Sequence, residues 1–260
     1  MPFVESAGLK IHYSLTGDSA APVVVLSNSL GTNFTMWDLQ APVLEKSFRL
    51  LRYDTRGHGR TAVTPSPYTI EQLGRDVLGL LDGLKLGRVN FCGLSMGGMI
   101  GQWLGVHAPE RINRLVLCST SPKIGALESW NARIEAIRKG GMNAVATAVV
   151  ERWFTPEFRA RAPQPAVALL GLLQSTPPEG YIACCEAIRD ADLRDAVASI
   201  RAPVQVMMGA RDPATPAADG RAMAQRIPGA RYIELESSHL CNVESVERFN
   251  PELIGFLTAM

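Results

Sequence analysis

The segment 88–99, RVNFCGLSMGGM, constrains the fold of this chain more than any other. An apolar run leads into Gly93-Leu94-Ser95-Met96-Gly97, and apolar residues at helical spacing follow. A serine flanked in this way at a strand-to-helix turn is typical of a nucleophile elbow, in which the glycines allow close packing around a strained backbone. We predict a buried strand, a turn that presents Ser95 as a nucleophile, and a helix whose first amide, that of Met96, can bind an oxyanion.

Strand and helix signals alternate along most of the chain. Runs suited to buried strands occur at 9–15, 22–26, 48–53, 89–92, 115–118, 204–208 and 232–235. Helical stretches lie at 69–86, 95–107, 217–226 and 243–258. This alternation predicts an α/β fold with a mostly parallel central sheet and helices on both faces.

The interval 122–199 interrupts the alternation. It is rich in helical signals, contains prolines at 156, 163, 165, 177 and 178, and has no strong strand. We expect a helical cap, or lid, inserted into a core domain formed by 1–121 and 200–260. A chain of 260 residues, of which 47% are hydrophobic, is long enough for one catalytic domain with such an insertion.

Composition argues against several classes of partner. The net charge is +1 and the 26 basic residues are dispersed, so a nucleic-acid partner is not expected. Neither a signal peptide nor an apolar run of about 18 residues is present, which predicts a cytoplasmic protein without a membrane partner. Five cysteines without zinc-site spacing argue against a disulfide framework, and Cys184 and Cys185 are interpreted as packing thiols. The oligomeric state is left open.

A serine nucleophile requires a histidine base. His239 follows the last predicted strand and therefore belongs to the carboxyl edge of the sheet, where Ser95 is expected. His58, in DTRGHGR, is the alternative base, although its charged, glycine-containing loop suits structural hydrogen bonds. His12 and His107 are interpreted as a strand residue and a helix-end residue.

The base in turn requires an orienting carboxylate. Asp212 directly follows the strand 204–208, in a loop stiffened by prolines. Asp54 is its competitor, but the neighbouring Arg56 and Arg60 suggest an internal ion pair. We predict the triad Ser95, Asp212 and His239, which has the chain order of the α/β-hydrolase fold.

The second oxyanion donor is expected in the loop 27–32, SNSLGT, after the strand PVVVL. The backbone amide of Leu30 can serve because this role requires no particular side chain. Asn28 in the same loop is either a substrate-contacting amide or a turn residue, and both interpretations stay open.

Seven segments together resemble the 3-oxoadipate enol-lactonases, and the similarity covers nearly the whole chain: LSNSLGTNFTMWD, YDTRGHGRT, GLSMGGMIGQWLG, ERWFTPEF, CCEAIRDADLR, GARDPATP and SSHLCNVE. The elbow and RGHG segments are common to many hydrolases, whereas ACCEAIRDADLR and SNSLGT are more selective. The resemblance implies hydrolysis of 3-oxoadipate enol-lactone to 3-oxoadipate through an acyl-enzyme in aromatic-compound (protocatechuate/catechol) catabolism. It carries the triad onto Ser95, Asp212 and His239 and implies no metal or organic cofactor.

The implied substrate carries a carboxylate, which calls for a cation in the site. Trp130, Ile134 and Ile137 form an apolar stripe at helical spacing, and Arg133 lies on the same face. Arg133 is therefore a candidate for binding the carboxylate, although a salt bridge between cap and core would satisfy it equally well. Trp130 and Trp153 are candidates for the pocket wall, and Arg138 is a weaker candidate cation.

Two other readings use the same residues. A carboxylesterase, a perhydrolase or a carbon–carbon bond hydrolase would share the triad. A non-catalytic receptor of this fold would bind a small ligand beneath the cap.

Overall fold

A sheet of eight strands forms the centre of residues 2–259, the part of the chain that the computed structural model describes. The spatial order is β1-β2-β4-β3-β5-β6-β7-β8, and the strands are β1 (Phe3–Ser6), β2 (Leu9–Thr16), β3 (Val23–Ser27), β4 (Arg49–Tyr53), β5 (Val89–Leu94), β6 (Ile112–Cys118), β7 (Val204–Gly209) and β8 (Arg231–Leu235). The pairs β1–β2 and β2–β4 are antiparallel and the remaining neighbours are parallel. The predicted α/β class with a mostly parallel sheet is confirmed.

The central strands are apolar because helices cover both faces of the sheet. Every residue of β5 and of β7 is buried, and the β-branched run of β3 is buried from Val24 onward. The sequence signals did not identify β1. This strand has four residues that alternate between exposed and half-buried, so it is too short for a periodicity argument.

Six helices belong to the sheet-covering layers: α1 (Ala41–Leu44), α2 (Ile70–Gly83), α3 (Met96–His107), α9 (Ala217–Arg226), α10 (Cys241–Glu244) and α11 (Val246–Thr258). Helix α3 packs on β5 and β6, and α9 packs on β7 and β8. The stretch 243–258 was predicted as one helix, but the structure divides this region at Ser245. Its backbone has φ −115° and ψ 39°, and its hydroxyl donates to Glu236 O at 2.8 Å.

The interval between β6 and β7 holds five helices, here called the helical layer: α4 (Leu127–Gly140), α5 (Asn143–Trp153), α6 (Pro156–Arg161), α7 (Pro163–Gln174) and α8 (Pro178–Asp190). Within this layer α4 packs against α5 and α8, and α7 packs against α5 and α6. The division of the chain into core and cap domains at 122 and 199 stays a prediction. Among residues 2–259, no helix has the length and apolar character required to cross a membrane.

The parallel pairing places the loops after six strands, β3 to β8, at one edge of the sheet, and four of these loops carry predicted site residues. The loops after β3, β5, β7 and β8 begin with the residues that follow Ser27, Leu94, Gly209 and Leu235. Because carboxyl ends of parallel strands lie at the same edge, segments far apart in the sequence meet there.

Candidate active site

Ser95 occupies a strained turn between β5 and α3. Its φ of 58° and ψ of −115° lie outside the regions usual for a residue with a side chain. A Cβ on Gly93 would collide with Gly97 O, and a Cβ on Gly97 would collide with Ser27 O. The glycines of the motif are therefore required by close backbone approach. Ser95 N donates to Cys118 O at 2.9 Å, and Thr120 Oγ1 donates to Ser95 O at 2.8 Å, which holds the strained residue in place.

Asp212 and His239 form a hydrogen-bonded pair. His239 Nδ1 lies 2.7 Å from Asp212 Oδ2, and the exposed fractions of the two residues are 3% and 5%. The carboxylate also accepts from Ala214 N at 2.7 Å, Thr215 N at 3.1 Å and Thr215 Oγ1 at 2.5 Å. With Nδ1 donating to the carboxylate, Nε2 is the ring nitrogen left free to act as a base.

Ser95 and His239 line the same cavity, whose volume is about 240 Å³. Within residues 2–259 no hydrogen bond joins their side chains. Hydrogen bonds of catalytic pairs are often long or poorly aligned until a substrate is bound, so this geometry is compatible with a nucleophile and its base. The structure thus brings the three predicted triad residues to one site.

Two backbone amides near Ser95 are unengaged. Neither Leu30 N nor Met96 N donates to another group of the described residues. Met96 is the first residue of α3, where amides lack helical partners, and Leu30 lines the cavity. Both predicted oxyanion donors are therefore available.

Asn28 does not face the cavity. Its Nδ2 donates to Tyr53 O at 2.6 Å, its Oδ1 accepts from Trp37 Nε1 at 3.0 Å, and its backbone O accepts from Gly97 N at 3.1 Å. The side chain is fully buried and its amide is engaged on both sides. Of the two interpretations of Asn28, the structure supports the loop-forming residue, and the expected substrate contact is corrected.

The predicted pocket residues of the helical layer all line the cavity: Trp130, Arg133 and Trp153. The Arg133 guanidinium lies over the Trp130 ring, 4.6 Å from its centroid. No carboxylate of residues 2–259 lies within 4.0 Å of this guanidinium, so the alternative salt bridge is not formed. Arg138, in contrast, is exposed and pairs with Glu135 and Glu186.

Sequence reasoning missed two residues of the cavity wall, Arg152 and Tyr181. Burial, and then the charge of Arg133, lowers the pKa of Arg152, and in the described chain Arg152 also lacks a carboxylate partner. The Tyr181 hydroxyl is fully buried and has no hydrogen-bond partner within residues 2–259.

A signal for Arg152 was present in the sequence. Val145 and Val149 are buried one helical turn apart, and Arg152 follows Val149 by three residues, the same spacing by which Arg133 follows Trp130. For Tyr181 the sequence offers no comparable signal, because its place in the wall depends on how α8 packs over the sheet edge.

The rejected candidates have other partners. Asp54 binds His12, with 2.7 Å between Oδ2 and Nδ1. The expected ion pair of Asp54 with the nearby arginines is wrong, since Arg56 pairs with Asp76 and Arg60 contributes only its backbone N–H, at 2.9 Å. His58 is fully buried and does not line the cavity that contains Ser95, and His107 is an exposed helix-end residue beside Trp103.

The described residues contain no grouping of three or more His, Cys, Asp or Glu side chains that could hold a metal ion. Cys184 and Cys185 are buried and free, as the packing interpretation expected.

Comparison with known proteins adds family information. The model of a family described by its alpha/beta hydrolase fold matches residues 22–245. The 3-oxoadipate enol-lactonase 2 of Acinetobacter baylyi is 41% identical over 92% of this chain and 90% of its own length, and 3-oxoadipate enol-lactonase 1 of that species is 36% identical over 97% and 95%. The crystal structure of an enol-lactonase from Burkholderia xenovorans LB400 superposes with a TM-score of 0.98 and 46% identity, covering 99% of this chain and 100% of that one.

Proposed function

This chain belongs to the α/β-hydrolase fold family, and from that premise we propose that it hydrolyses the lactone ester of 3-oxoadipate enol-lactone to 3-oxoadipate, a step in the breakdown of aromatic compounds. The chain is a hydrolase. Two relatives that are named 3-oxoadipate enol-lactonase match 92% and 97% of its length. The observation that carries the substrate proposal is one cavity in which Ser95 and His239 are combined with Arg133 and Arg152, neither of which has a carboxylate partner among residues 2–259.

Acylation begins at Ser95. His239 Nε2 takes the proton of Ser95 Oγ as the oxygen attacks the lactone carbonyl, and Asp212 stabilises the imidazolium that forms. Asp212 is suited to this role because it holds Nδ1 at 2.7 Å and is itself fixed by three further donors. The pair therefore sets the tautomer and orientation of the base before substrate binds.

The negative charge that develops on the carbonyl oxygen is stabilised by the amides of Leu30 and Met96. Their availability supports this role, because unengaged donors in a largely buried site need little reorganisation. The start of α3 adds its dipole at the same place.

Collapse of the tetrahedral intermediate breaks the ring C–O bond. The leaving group is an enolate, which His239 protonates toward the ketone with the proton taken from Ser95. Water then attacks the acyl-enzyme while His239 accepts its proton, and the Ser95 ester bond breaks as His239 passes that proton to Ser95 Oγ, which releases the second carboxylate and restores the free serine. Every step uses groups of this chain and water.

The carboxylate of the substrate is bound by the helical layer. Arg133 and Arg152 supply positive charge, and the unpartnered Tyr181 hydroxyl supplies a donor. Burial raises the pKa of Tyr181, which keeps its hydroxyl protonated at neutral pH. Arg133 and Arg152 are neighbouring cations without a carboxylate partner among residues 2–259, and this arrangement favours an anionic ligand over a neutral ester. The enol-lactone carries such a negative charge, whereas the neutral esters cleaved by a general esterase do not.

The first test follows the loss of ultraviolet absorbance of freshly generated enol-lactone with the native enzyme and with Ser95→Ala. We expect rapid loss with the native enzyme alone. If neither protein consumes the lactone while the native enzyme cleaves a p-nitrophenyl ester, the serine mechanism stands and the substrate assignment fails.

The second test compares Arg133→Ala with Arg138→Ala, a matched substitution on the same helix at an arginine that faces glutamates. Arg133→Ala should raise KM for the lactone about 10-fold or more and leave hydrolysis of a neutral ester within about 2-fold. Arg138→Ala should change neither. Equal losses on both substrates for Arg133→Ala would contradict carboxylate binding.

A further inference from the structure

His58 is a fully buried histidine that the proposed reaction does not use. It follows β4, and its Nε2 lies 3.0 Å from Gly31 N, while its Nδ1 lies 3.3 Å from Arg56 O. A backbone amide can only donate, so Nε2 must be the acceptor and Nδ1 must carry the proton that is donated to Arg56 O. The contacts on both sides thus fix one neutral tautomer of this ring.

Gly31 belongs to the turn that carries the Leu30 amide. Ser29 O accepts from Thr32 N at 3.2 Å and from Thr32 Oγ1 at 2.7 Å, which closes a four-residue turn over 29–32. Gly31 is the third residue of this turn and has φ +80°, the value that a type II turn requires at that position. Its N–H therefore belongs to the central peptide of the turn, and that peptide has the reverse orientation in a type I turn.

The helical layer also packs against this turn. A Cβ on Gly31 would collide with Leu173 of α7 and Tyr181 of α8, and the Tyr181 ring centroid lies 6.3 Å from that of His58. These neighbours are apolar at the points of contact. His58 is therefore the polar group that fixes how the central peptide is oriented.

We propose that His58 is a positioning residue for the oxyanion hole: by accepting the Gly31 N–H it holds the Leu30–Gly31 peptide so that the Leu30 amide stays free for the oxyanion. The proposal rests on the role given above to the Leu30 amide. His58 does not touch the substrate, since it is absent from the cavity wall, and it acts through the turn.

The electrostatic surroundings of His58 keep its Nε2 unprotonated, so that this nitrogen can accept the Gly31 N–H. Burial lowers the pKa of His58 to about 4, against the opposing effects of the Arg56 carbonyl and the charge of Asp54. Other ionisable groups around this loop are Arg56, which is paired with Asp76, and two residues of the helical layer: Tyr181, and Cys184, whose Sγ lies 3.8 Å from Arg56 O. At neutral pH the ring is therefore uncharged, as the bond from Gly31 requires.

The experiment compares His58→Gln with His58→Asn, because a glutamine oxygen can reach the position of Nε2 and an asparagine oxygen cannot. We expect His58→Asn to lower kcat for p-nitrophenyl acetate and for the enol-lactone about 10- to 100-fold with KM within about 3-fold. His58→Gln should keep kcat within about 5-fold of the native value. Urea unfolding of both variants measures stability separately.

A residue that only packs would change stability in both variants without this kcat difference, so equal kcat for His58→Asn and the native enzyme would overturn the proposal. A second measurement needs no variant: side-chain ¹⁵N–¹H correlation spectra of the native enzyme at pH 7. We expect His58 to be neutral with its proton on Nδ1. A proton on Nε2 would overturn the proposal as well.

The two substrates keep the proposals distinguishable. Native enzyme that cleaves the ester but not the lactone would reject the substrate assignment, and the His58 comparison would still be read from the ester. Ester cleavage by Ser95→Ala at the native rate would instead reject the serine mechanism.

Discussion

Two buried aspartate–histidine pairs in this molecule have the same bond and different surroundings. Both Asp212–His239 and Asp54–His12 join Oδ2 to Nδ1 at 2.7 Å, and in each case the carboxylate also accepts backbone N–H groups. All four residues are at most 5% exposed. The pairs cannot be distinguished by the bond itself.

The difference lies at the other ring nitrogen. The His239 ring lines the cavity that also contains Ser95. The His12 ring is held between Phe3 and Phe34, with centroid distances of 5.1 and 5.2 Å, and its Nε2 is 3.4 Å from Arg60 Nη1. A general base needs a neighbouring nucleophile whose proton it can take, and space for a substrate. The surroundings of His12 are instead two aromatic rings and an arginine, so we interpret this pair as structural.

The largest contrast is expected on removal of each histidine. His239→Ala should lower kcat by about 10⁴- to 10⁶-fold because the base is lost. His12→Ala should leave kcat within about 3-fold and cost about 3–5 kcal/mol in unfolding free energy, since Asp54 is left buried without its partner. Steady-state kinetics and urea unfolding of both variants test this. If the His12→Ala variant is folded and still loses much of its kcat, the catalytic pair depends on the structural pair and the distinction between them fails.

Replacing each aspartate by the isosteric asparagine gives a second test of the difference between the two pairs. Asp212→Asn should lower kcat about 10⁴-fold, because the amide no longer orients and stabilises the charged base. Asp54→Asn should lower the unfolding free energy by about 3 kcal/mol, since the amide nitrogen would replace either Oδ1, which accepts from Phe34 N, or Oδ2, which accepts from Arg60 N, and would meet a donor in both cases. Normal turnover in Asp212→Asn would contradict the triad assignment.

Each pair is supported by a threonine, which gives a third and smaller test. Thr215→Val removes the hydroxyl that donates to Asp212 and should lower kcat about 10-fold. Thr61 Oγ1 accepts from His12 N and donates to Asp54 O, so Thr61→Val should cost about 1–2 kcal/mol of stability with kcat within about 2-fold. A loss of stability with unchanged kcat in Thr215→Val, or a loss of kcat with unchanged stability in Thr61→Val, would contradict the distinction between the catalytic and the structural pair.

The smallest effect is expected at Arg60. Arg60→Met removes the guanidinium beside His12 Nε2 and above the Phe3 ring, where its centre lies 5.2 Å from the centroid. Because Arg60 is exposed, the expected loss is below about 1 kcal/mol, with unchanged kinetics. Thermal unfolding measures it. A loss several times larger would mean that the arginine is an essential part of the structural pair.

The elbow and most of the strands were accessible from the sequence because each leaves a local pattern, whereas the order of the strands in the sheet was not predicted. The strained turn at Ser95 leaves a short motif with a glycine two residues before and two residues after the serine, and buried parallel strands leave continuous apolar runs. The four residues of β1 are too few for such a signal, and the break of the last helical stretch at Ser245 depends on a hydroxyl contact with Glu236.

Local patterns in the sequence were enough to predict the α/β architecture and to place Ser95, Asp212 and His239 after their strands, because buried strands leave apolar runs and each of these residues follows such a run. The tertiary structure was needed to bring Tyr181 beside Arg133 in the cavity, to bind the Asn28 side chain to Tyr53 and Trp37 instead, and to bring His58 to Gly31. The partners in that last bond are 27 residues apart in the chain, and the partners of Asp54–His12 are 42 apart. Such contacts depend on how distant segments pack, and no local pattern encodes them.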